Sequence, residues 1–431
     1  MIDMEKNIRE KKCRIAIIGF GYVGMPLGLE FAGSGFKVTA FEVDHKKIAS
    51  VKKGKSHVQD VPDSEIKKLL ARKALRITGD FSELKKQDAI IVCVPTPLRK
   101  SKDPDVSYIV SAAMAIRKNL RKGQLIILES TTYPGTTREL VLPVLEESGL
   151  KAGRDFYLAF SPERVDPGNK KYGIKNTPKV VGGIDRKSTE LSALLYSFAV
   201  EKVFPVSNCE TAEIVKLLEN TFRAVNIAMI NELALMCKKL GLNVWEVIEA
   251  AKTKPFGFMP FYPGPGIGGH CIPLDPHYLG WKMKTLNFEP RFIELAGAIN
   301  SSMPEHVISM LYEIMSRNGK ALSRSRVLIV GLAYKPDIAD YRESPAIDIF
   351  SLLEKTGAKV EYHDPYIPFI TVGGKKHRSA PLGGNVSAYD CVLIITNHSS
   401  LDYRLLLKRS KLVFDARNAL KGLVSPKIYR L

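Results

Sequence analysis

The chain has 431 residues, 64 Lys and Arg against 45 Asp and Glu, a formal charge of +19 and 45% hydrophobic residues. That length exceeds one ordinary domain of ~100–200 residues, and Val/Ile/Leu-rich runs throughout exclude a disordered chain, so two or three globular domains are expected. The six cysteines are scattered, with no CxxC pair and no zinc-like His spacing, which argues against a disulfide framework and against a metal site.

No stretch approaches the ~20 uncharged apolar residues of a membrane span, and the charged N-terminus leads straight into a strand with no cleavable apolar segment. A cytoplasmic protein without a membrane partner is expected. Lys and Arg are spread along the chain with no basic run interleaved with aromatics, so no nucleic-acid partner is expected either. Positive potential of this kind also suits small polyanionic ligands, whose approach it steers.

From Arg14 the pattern is strand, glycine turn, helix. Arg14-Ile-Ala-Ile-Ile-Gly19 is an apolar run, Gly19-Phe-Gly21-Tyr22-Val23-Gly24 follows at once, then a helix through about Phe31 and a second strand, Lys37–Glu42. Strand, GxGxxG, helix, strand and an acidic residue 18 positions after the third glycine make the dinucleotide-binding unit. Gly19 makes the tight turn, Gly21 lets backbone amides approach a pyrophosphate, and Gly24 lets the helix pack closely with its positive end at the phosphate. Glu42 is expected to accept from the adenosine ribose hydroxyls and to repel a 2′-phosphate, which favours NAD over NADP.

The unit continues with Ala89–Val94, ending in Pro95-Thr96-Pro97, and Gln124–Glu129, ending in Ser130-Thr131-Thr132. Loops at strand C-termini bind ligands in α/β sheets, so Pro95, Thr96 and Thr131 are expected at the cofactor. Thr131 as a mere cap of a following helix is the alternative. From Thr211 to Leu240 the apolar period predicts a single helix of some thirty residues, on which Lys216 and Asn220, four apart, share a face. That face reads either as solvated charge or as a site.

The segment Pro263-Gly264-Pro265-Gly266-Ile-Gly268-Gly269-His270-Cys271, with Asp275 four positions on, carries the chemistry. A structural cysteine sits inside an apolar strand or helix, as Cys93 and Cys391 are expected to do. Glycines and prolines make a rigid loop that presents Cys271, which is expected to be a nucleophile, an inert loop thiol being the alternative. A nicotinamide site with a nucleophilic cysteine suggests oxidation of an alcohol through an aldehyde, thiohemiacetal and thioester to an acid, consuming two NAD. A new strand at Arg326–Gly331, a helix from about Pro345 and strands at Val360–Asp364, Cys391–Thr396 and Leu412–Asp415 read as a second, smaller α/β domain. Its Gly331-Leu-Ala333 lacks GxGxxG, so no second dinucleotide site is expected there.

On these residues the chain resembles the UDP-glucose/GDP-mannose dehydrogenase family, NAD-dependent four-electron oxidoreductases acting on C6 of nucleotide sugars. The resemblance runs from Arg14 to about Leu420 and includes Ser161-Pro-Glu163-Arg164, Ala212–Asn220, Gly268-Gly-His270-Cys271, Lys335-Pro-Asp337 with Asp340–Pro345, and Asp415-Ala-Arg417-Asn418. It implies an α/β fold with two Rossmann-like doubly wound domains joined by a central helical domain: 1–207 for NAD, 208–318 for dimerisation and the cysteine loop, 319–431 for the UDP-sugar. It implies Cys271 as nucleophile, Lys216 and Asn220 as oxyanion donors, Asp275 and Thr131 as water-positioning groups and Glu163 as acid/base. Arg164, Gly268, His270, Lys335 and Arg417 are implied at the UDP-sugar, Arg342 at the cofactor or a closed interface, and a homodimer or larger homo-oligomer through the central helices. Glu163-Arg-Val-Asp166-Pro167-Gly168-Asn169, Leu274 and His270 are similar to the branch that oxidises UDP-N-acetylamino sugars. N-acetylglucosamine comes first in that resemblance, N-acetylmannosamine second and glucose last.

Overall fold

In a computed structural model the described residues are 3–58, 61–97, 103–166, 169, 171–269, 272–383 and 386–431. His270 and Cys271, together with Pro167 and Gly168, therefore lie outside the described residues. The chain divides into two compact units, Met1–Glu219 with His277–Asn287, and Asn220–Pro276 with Phe288–Leu431.

The first unit is built on an eight-stranded sheet in the order β3-β2-β1-β4-β5-β6-β7-β8. Its strands are β1 Arg14–Ile18, β2 Lys37–Phe41, β3 Leu75–Thr78, β4 Ala89–Val92, β5 Leu125–Leu128, β6 Tyr157–Phe160, β7 Lys179–Gly183 and β8 Val203–Pro205. All pair in parallel except β6 with β7. Parallel strands are covered on both faces, which is why β1, β4 and β5 are apolar at every central position. Ile15, Ile17, Ala89, Ile91, Leu125 and Ile127 point into one core. Ala16, Ile18, Ile90, Val92, Ile126 and Leu128 point into the other. β3 and β6–β8 carry weaker patterns than these and are additions to the sequence reading.

The strand order reverses direction between β1 and β4, and the loops at the carboxyl ends of β1, β4 and β5 meet there. The N-terminus departs from expectation. A short helix, Met4–Arg9, precedes β1, capped by the Asp3 side chain, and its Met4 and Ile8 are buried.

The second unit holds a five-stranded parallel sheet, β10-β9-β13-β14-β15, and a hairpin of β11 and β12. These strands are β9 Arg326–Val330, β10 Lys359–His363, β11 Phe369–Val372, β12 Lys375–Arg378, β13 Cys391–Ile394, β14 Val413–Asp415 and β15 Ile428–Arg430. Cys391 is buried in β13 as expected. The expected long helix is Cys209–Leu240, 32 residues. A second long helix, Arg291–Arg317, contains Pro304. Among the described residues no helix is long and apolar enough to cross a membrane.

Gly24 opens the Gly24–Gly33 helix, where a Cβ would lie 2.0 Å from the Gly19 carbonyl oxygen and 2.8 Å from Ile17 Cγ2. At Gly21 a Cβ would meet nothing within 4 Å. Gly24→Ala is therefore expected to lower the thermal midpoint, at an overpacking cost of about 1–3 kcal/mol, whereas Gly21→Ala leaves the midpoint unchanged and weakens only NAD. Calorimetry and NAD titration of the two variants check this, and equal midpoints would contradict the close-approach argument.

Candidate active site

The glycine turn is held from two sides. Gly19 has φ +87°, and a Cβ there would sit 2.6 Å from the Cys93 carbonyl oxygen, so only glycine lets β1 turn beside β4. Glu42, buried just past β2, accepts from the amides of Phe20 at 3.2 Å, Val43 at 2.9 Å and Asp44 at 3.2 Å. It is thus a structural clamp on the turn as well as the acidic residue expected at the ribose. Tyr22 is exposed, Val23 caps the helix in αR geometry, and Pro95 and Thr96 follow β4. The open space at Gly21, the free N-terminal turn of the helix and Glu42 together fit a dinucleotide.

Thr131 follows β5, and the next helical turn starts at Thr137 with Thr136 as its cap, so Thr131 caps no helix. Its loop is gripped by a residue that the sequence reading did not single out. Glu213 is buried and accepts from Gly135 N at 2.6 Å, Thr137 N at 2.9 Å and Thr137 Oγ1 at 2.7 Å. The signal was a carboxylate one helical turn before Lys216 on an otherwise apolar face. Burial pushes the Glu213 carboxyl up to about 7, against the pull of the Thr137 and Gly135 donors.

Lys216 is buried, so the reading of that helical face as solvated charge fails. Glu163 is buried nearby, and its Oε1 accepts from Arg164 N at 2.9 Å and Val165 N at 2.6 Å. Burial opposes its ionisation, but Lys179, the Val165 amide and Lys216 more than offset this and hold the carboxyl below its ordinary value. Arg164 spends its fork on Glu219, at 2.6 and 3.3 Å, and on the Pro178 carbonyl at 2.8 Å. That contact anchors the loop to the long helix. Cys93 corrects an expectation: it lies just past β4, not inside the strand, with Sγ 3.9 Å from Glu129 Oε2, and burial followed by Glu129 pushes its thiol far up.

In the second unit the buried Asn220 amide donates to Asp275, which opens the helix Asp275–Thr285 four positions after Cys271. The glycine loop before Cys271 is wedged in place. A Cβ at Gly268 would lie 2.7 Å from the Glu343 carbonyl oxygen, and Gly269, at φ +92°, faces the Tyr334 ring with 2.8 Å to spare. Gly264 N donates to Asn231 Oδ1 at 2.9 Å, Asn231 Nδ2 to Asn300 Oδ1 at 2.9 Å, and Asn300 Nδ2 to the Ala224 carbonyl at 3.0 Å. This buried amide chain, also unforeseen, satisfies every member inside the core.

Arg417 lies against the same loop, where a Cβ at Gly264 would come within 2.5 Å of Nη1. Its Nε donates to the Ile395 carbonyl at 3.0 Å, no carboxylate meets it among the described residues, and burial lowers it to about 10, still cationic. Lys335 stands in the loop after β9, which is pinned by buried His398: its Nδ1 accepts from Asp337 N at 3.0 Å, so its Nε2–H faces Asp364 at 3.0 Å. Arg342 is exposed and forks onto Asp340, with contacts of 2.6 and 2.9 Å. Among the described residues no group of three or more His, Cys, Asp and Glu is arranged to hold a metal ion.

Three family models of the UDP-glucose/GDP-mannose dehydrogenases match the chain in order: the NAD binding domain at 13–200, the central domain at 210–302 and the UDP binding domain at 328–422. The chain is 35% identical over 415 residues to the UDP-N-acetyl-D-mannosamine dehydrogenase of Pyrococcus horikoshii, covering 95% of this chain and 96% of that one. It belongs to the UDP-glucose/GDP-mannose dehydrogenase family. It is 34% identical over 416 residues to the UDP-N-acetyl-D-glucosamine 6-dehydrogenase of Pseudomonas aeruginosa, covering 94% of this chain and 97% of that one. The solved structure of the P. horikoshii enzyme superposes with a TM-score of 0.88 at 34% identity over 97% of this chain and 98% of that one. As a member of this family the chain is an NAD-dependent nucleotide-sugar dehydrogenase with a UDP binding domain.

Two outcomes follow from this geometry. NAD is expected to be preferred to NADP by at least tenfold in kcat/KM, a margin that needs only ~1.4 kcal/mol of repulsion from Glu42. Glu42→Ala narrows that gap mainly by weakening NAD, and steady-state kinetics with both cofactors would expose a wrong register if the wild type preferred NADP. Glu213 gives a pH signature. Its folded value lies above the ordinary carboxylate range, so the folded state holds the proton more tightly and stability falls as pH rises from the ordinary range through 7. Relative to Glu213→Gln, the wild type should gain on the order of 3 kcal/mol between pH 8 and pH 4.5. Parallel denaturant titrations across that range, showing a constant difference, would remove the argument.

Proposed function

We propose that the chain oxidises C6 of a UDP-N-acetylamino sugar to the uronic acid, by way of a thioester on Cys271. The observation that carries this reading is the buried Asn220–Asp275 hydrogen bond at the start of the helix that follows the cysteine loop. NAD, when bound, supplies the hydride acceptor twice per turnover. Gly19, Gly21, Tyr22, Val23, Gly24 and Glu42 would hold it, with Pro95, Thr96 and Thr131 beside it. In the first oxidation C6 loses a hydride, and its hydroxyl proton passes to water held by Thr131 and Asp275. The Cys271 thiolate then adds to the aldehyde carbon. The resulting oxyanion is met by the Lys216 ammonium and by the amide hydrogen of Asn220 that Asp275 does not take, donors of a kind worth ~3–4 kcal/mol each.

A second hydride leaves that carbon and gives the thioester. Water, losing its proton to Glu163, attacks the carbonyl. The C–S bond breaks, and the thiolate of Cys271 is restored. One water is consumed and two NADH form per acid. Arg417, Lys335, Arg164, Gly268 and His270 are assigned to the UDP-sugar, and Arg342 to the cofactor or a closed interface. The matched family segments support functional domains at 1–207, 208–318 and 319–431.

N-acetylglucosamine is the proposed sugar, from the Glu163–Asn169 segment, part of which lies outside the described residues. N-acetylmannosamine is the second reading, which the P. horikoshii relative favours; glucose ranks last. A homodimer is proposed through the Cys209–Leu240 helix, whose exposed Leu218, Phe222, Met229, Met236 and Leu240 form an apolar stripe at near-heptad spacing. Cytoplasmic action on a UDP-sugar, without nucleic acid or membrane, completes the proposal.

The test is NADH formation against UDP-glucose and the UDP-N-acetyl derivatives of glucosamine, mannosamine and galactosamine. Two NADH per acid and UDP-N-acetylglucosamine fastest are expected; UDP-glucose fastest would refute the acetamido reading. Cys271→Ser should abolish acid formation while UDP-sugar binding persists, because a hydroxyl is a far poorer nucleophile than a thiol of pKa ~8.5. Near-normal acid formation by that variant would sink the thioester route.

A further inference from the structure

One buried cation in the first unit has no part in the chemistry above. Lys179 opens β7, and its ammonium lies 2.9 Å from Glu129 Oε1 and 3.4 Å from Glu163 Oε2. Lys179 and both carboxylates are buried. Glu129 follows β5, immediately before Ser130-Thr131, and receives the Tyr196 hydroxyl from the helix Arg186–Tyr196. Among the described residues Lys179 is the one ion-pair partner of Glu163. Removing a carboxylate from water is tolerated only with such a partner.

We propose that Lys179 is a positioning residue for the hydrolytic step: it fixes the direction of Glu163 Oε2 and keeps that carboxylate ionised, with Glu129 as the second anchor of the ammonium. This rests on Glu163 being the base proposed above. Glu163 Oε1 is committed to the Arg164 and Val165 amides, so Oε2 is the oxygen whose direction Lys179 sets. The charged and titratable groups around it are Glu129 after β5, Lys216 and Glu219 on the long helix, Arg164 beside it, Tyr196, and Cys93 after β4. Tyr196 and Cys93 are pushed far up by burial and stay neutral. Burial raises Glu129 as well, although Lys179 pulls against it, while Glu129 and Glu163 outweigh burial and keep Lys179 protonated. Lys216 is the remaining cation that acts on Glu163, and a group assigned to the oxyanion cannot also be its permanent counter-ion.

The experiment compares Lys179→Met, Lys179→Arg and Glu163→Gln, reading the pH profile of kcat and the enzyme-bound sugar adduct by intact mass. Lys179→Met should move the acid limb of kcat upward by at least one pH unit and accumulate adduct below it, with KM for the UDP-sugar changed less than twofold. Lys179→Arg should keep the limb within 0.3 of a unit of the wild type's, as a flagged order-of-magnitude tolerance of about twofold in protonation. A uniform loss of kcat at every pH with an unmoved limb would overturn the proposal. Should Lys179→Met fail to fold, Glu129→Gln/Lys179→Met removes the stranded charge on Glu129 and must show the same displaced limb; an unmoved limb there also overturns it. Glu163→Gln separates the two ideas. If it hydrolyses the adduct at the wild-type rate, the assignment of Glu163 as base fails; if it accumulates adduct at every pH while Lys179→Met keeps the wild-type limb, only the role of Lys179 fails.

Discussion

Two carboxylates and an ammonium leave water together at the carboxyl edge of the first sheet, and none of the three could do so alone. Lys179 comes from β7, Glu129 from the end of β5 and Glu163 from the loop after β6, so one ion-pair triad ties three segments of that edge. Buried pairs of this kind add little stability in themselves, because the desolvation cost is comparable to the attraction. What the triad supplies is direction. Each carboxylate has its second partner fixed as well, the Tyr196 hydroxyl for Glu129 and the loop amides for Glu163.

Close backbone approach is the second constraint, and it explains why glycine recurs at each functional turn. At Gly19 and Gly24 the first crossover folds back onto β1 and β4 with no room for a methyl group. At Gly264, Gly268 and Gly269 the loop before Cys271 lies against Arg417, Tyr334 and the Glu343 carbonyl. Such a loop holds its shape through contact on both sides, with Asn231 and Asn300 supplying the hydrogen bonds that its buried backbone needs. A reactive side chain at the end of such a loop is presented at a defined place, because the backbone before it has little freedom left to lose.

The long helix carries much of this geometry. Glu213 grips the Thr131 loop, Lys216 and Glu219 serve the Glu163 loop, Asn220 meets Asp275, and Asn231 meets Gly264. An α-helix rises 1.5 Å per residue, so these groups are set along it at fixed intervals. A single run of hydrogen-bonded backbone therefore spaces an anchoring carboxylate, two oxyanion donors and the support of the cysteine loop. Its apolar stripe leaves the rest of its surface for another copy of the chain.

By itself the sequence determined the dinucleotide unit, the long helix, the second α/β domain and the family. The reason is that glycine spacing, strand hydrophobicity and helical period are local properties, set by sterics and by burial of one face or two. It also made Lys216, Asn220 and Asp275 legible through their spacing around a glycine-rich loop. It did not reveal that Lys216 is buried, that Arg164 is spent on Glu219, or that Cys93 faces a carboxylate. Nor did it point to Lys179, Glu129, Glu213, Asn231 or Asn300, whose partners lie up to 78 residues away in the chain. A charged or amide side chain in a short strand or on a helix reads as surface until the packing around it is known. Only the tertiary structure decides which of these groups are withdrawn from water, and that withdrawal turns an ordinary Lys or Glu into a device that orients another residue.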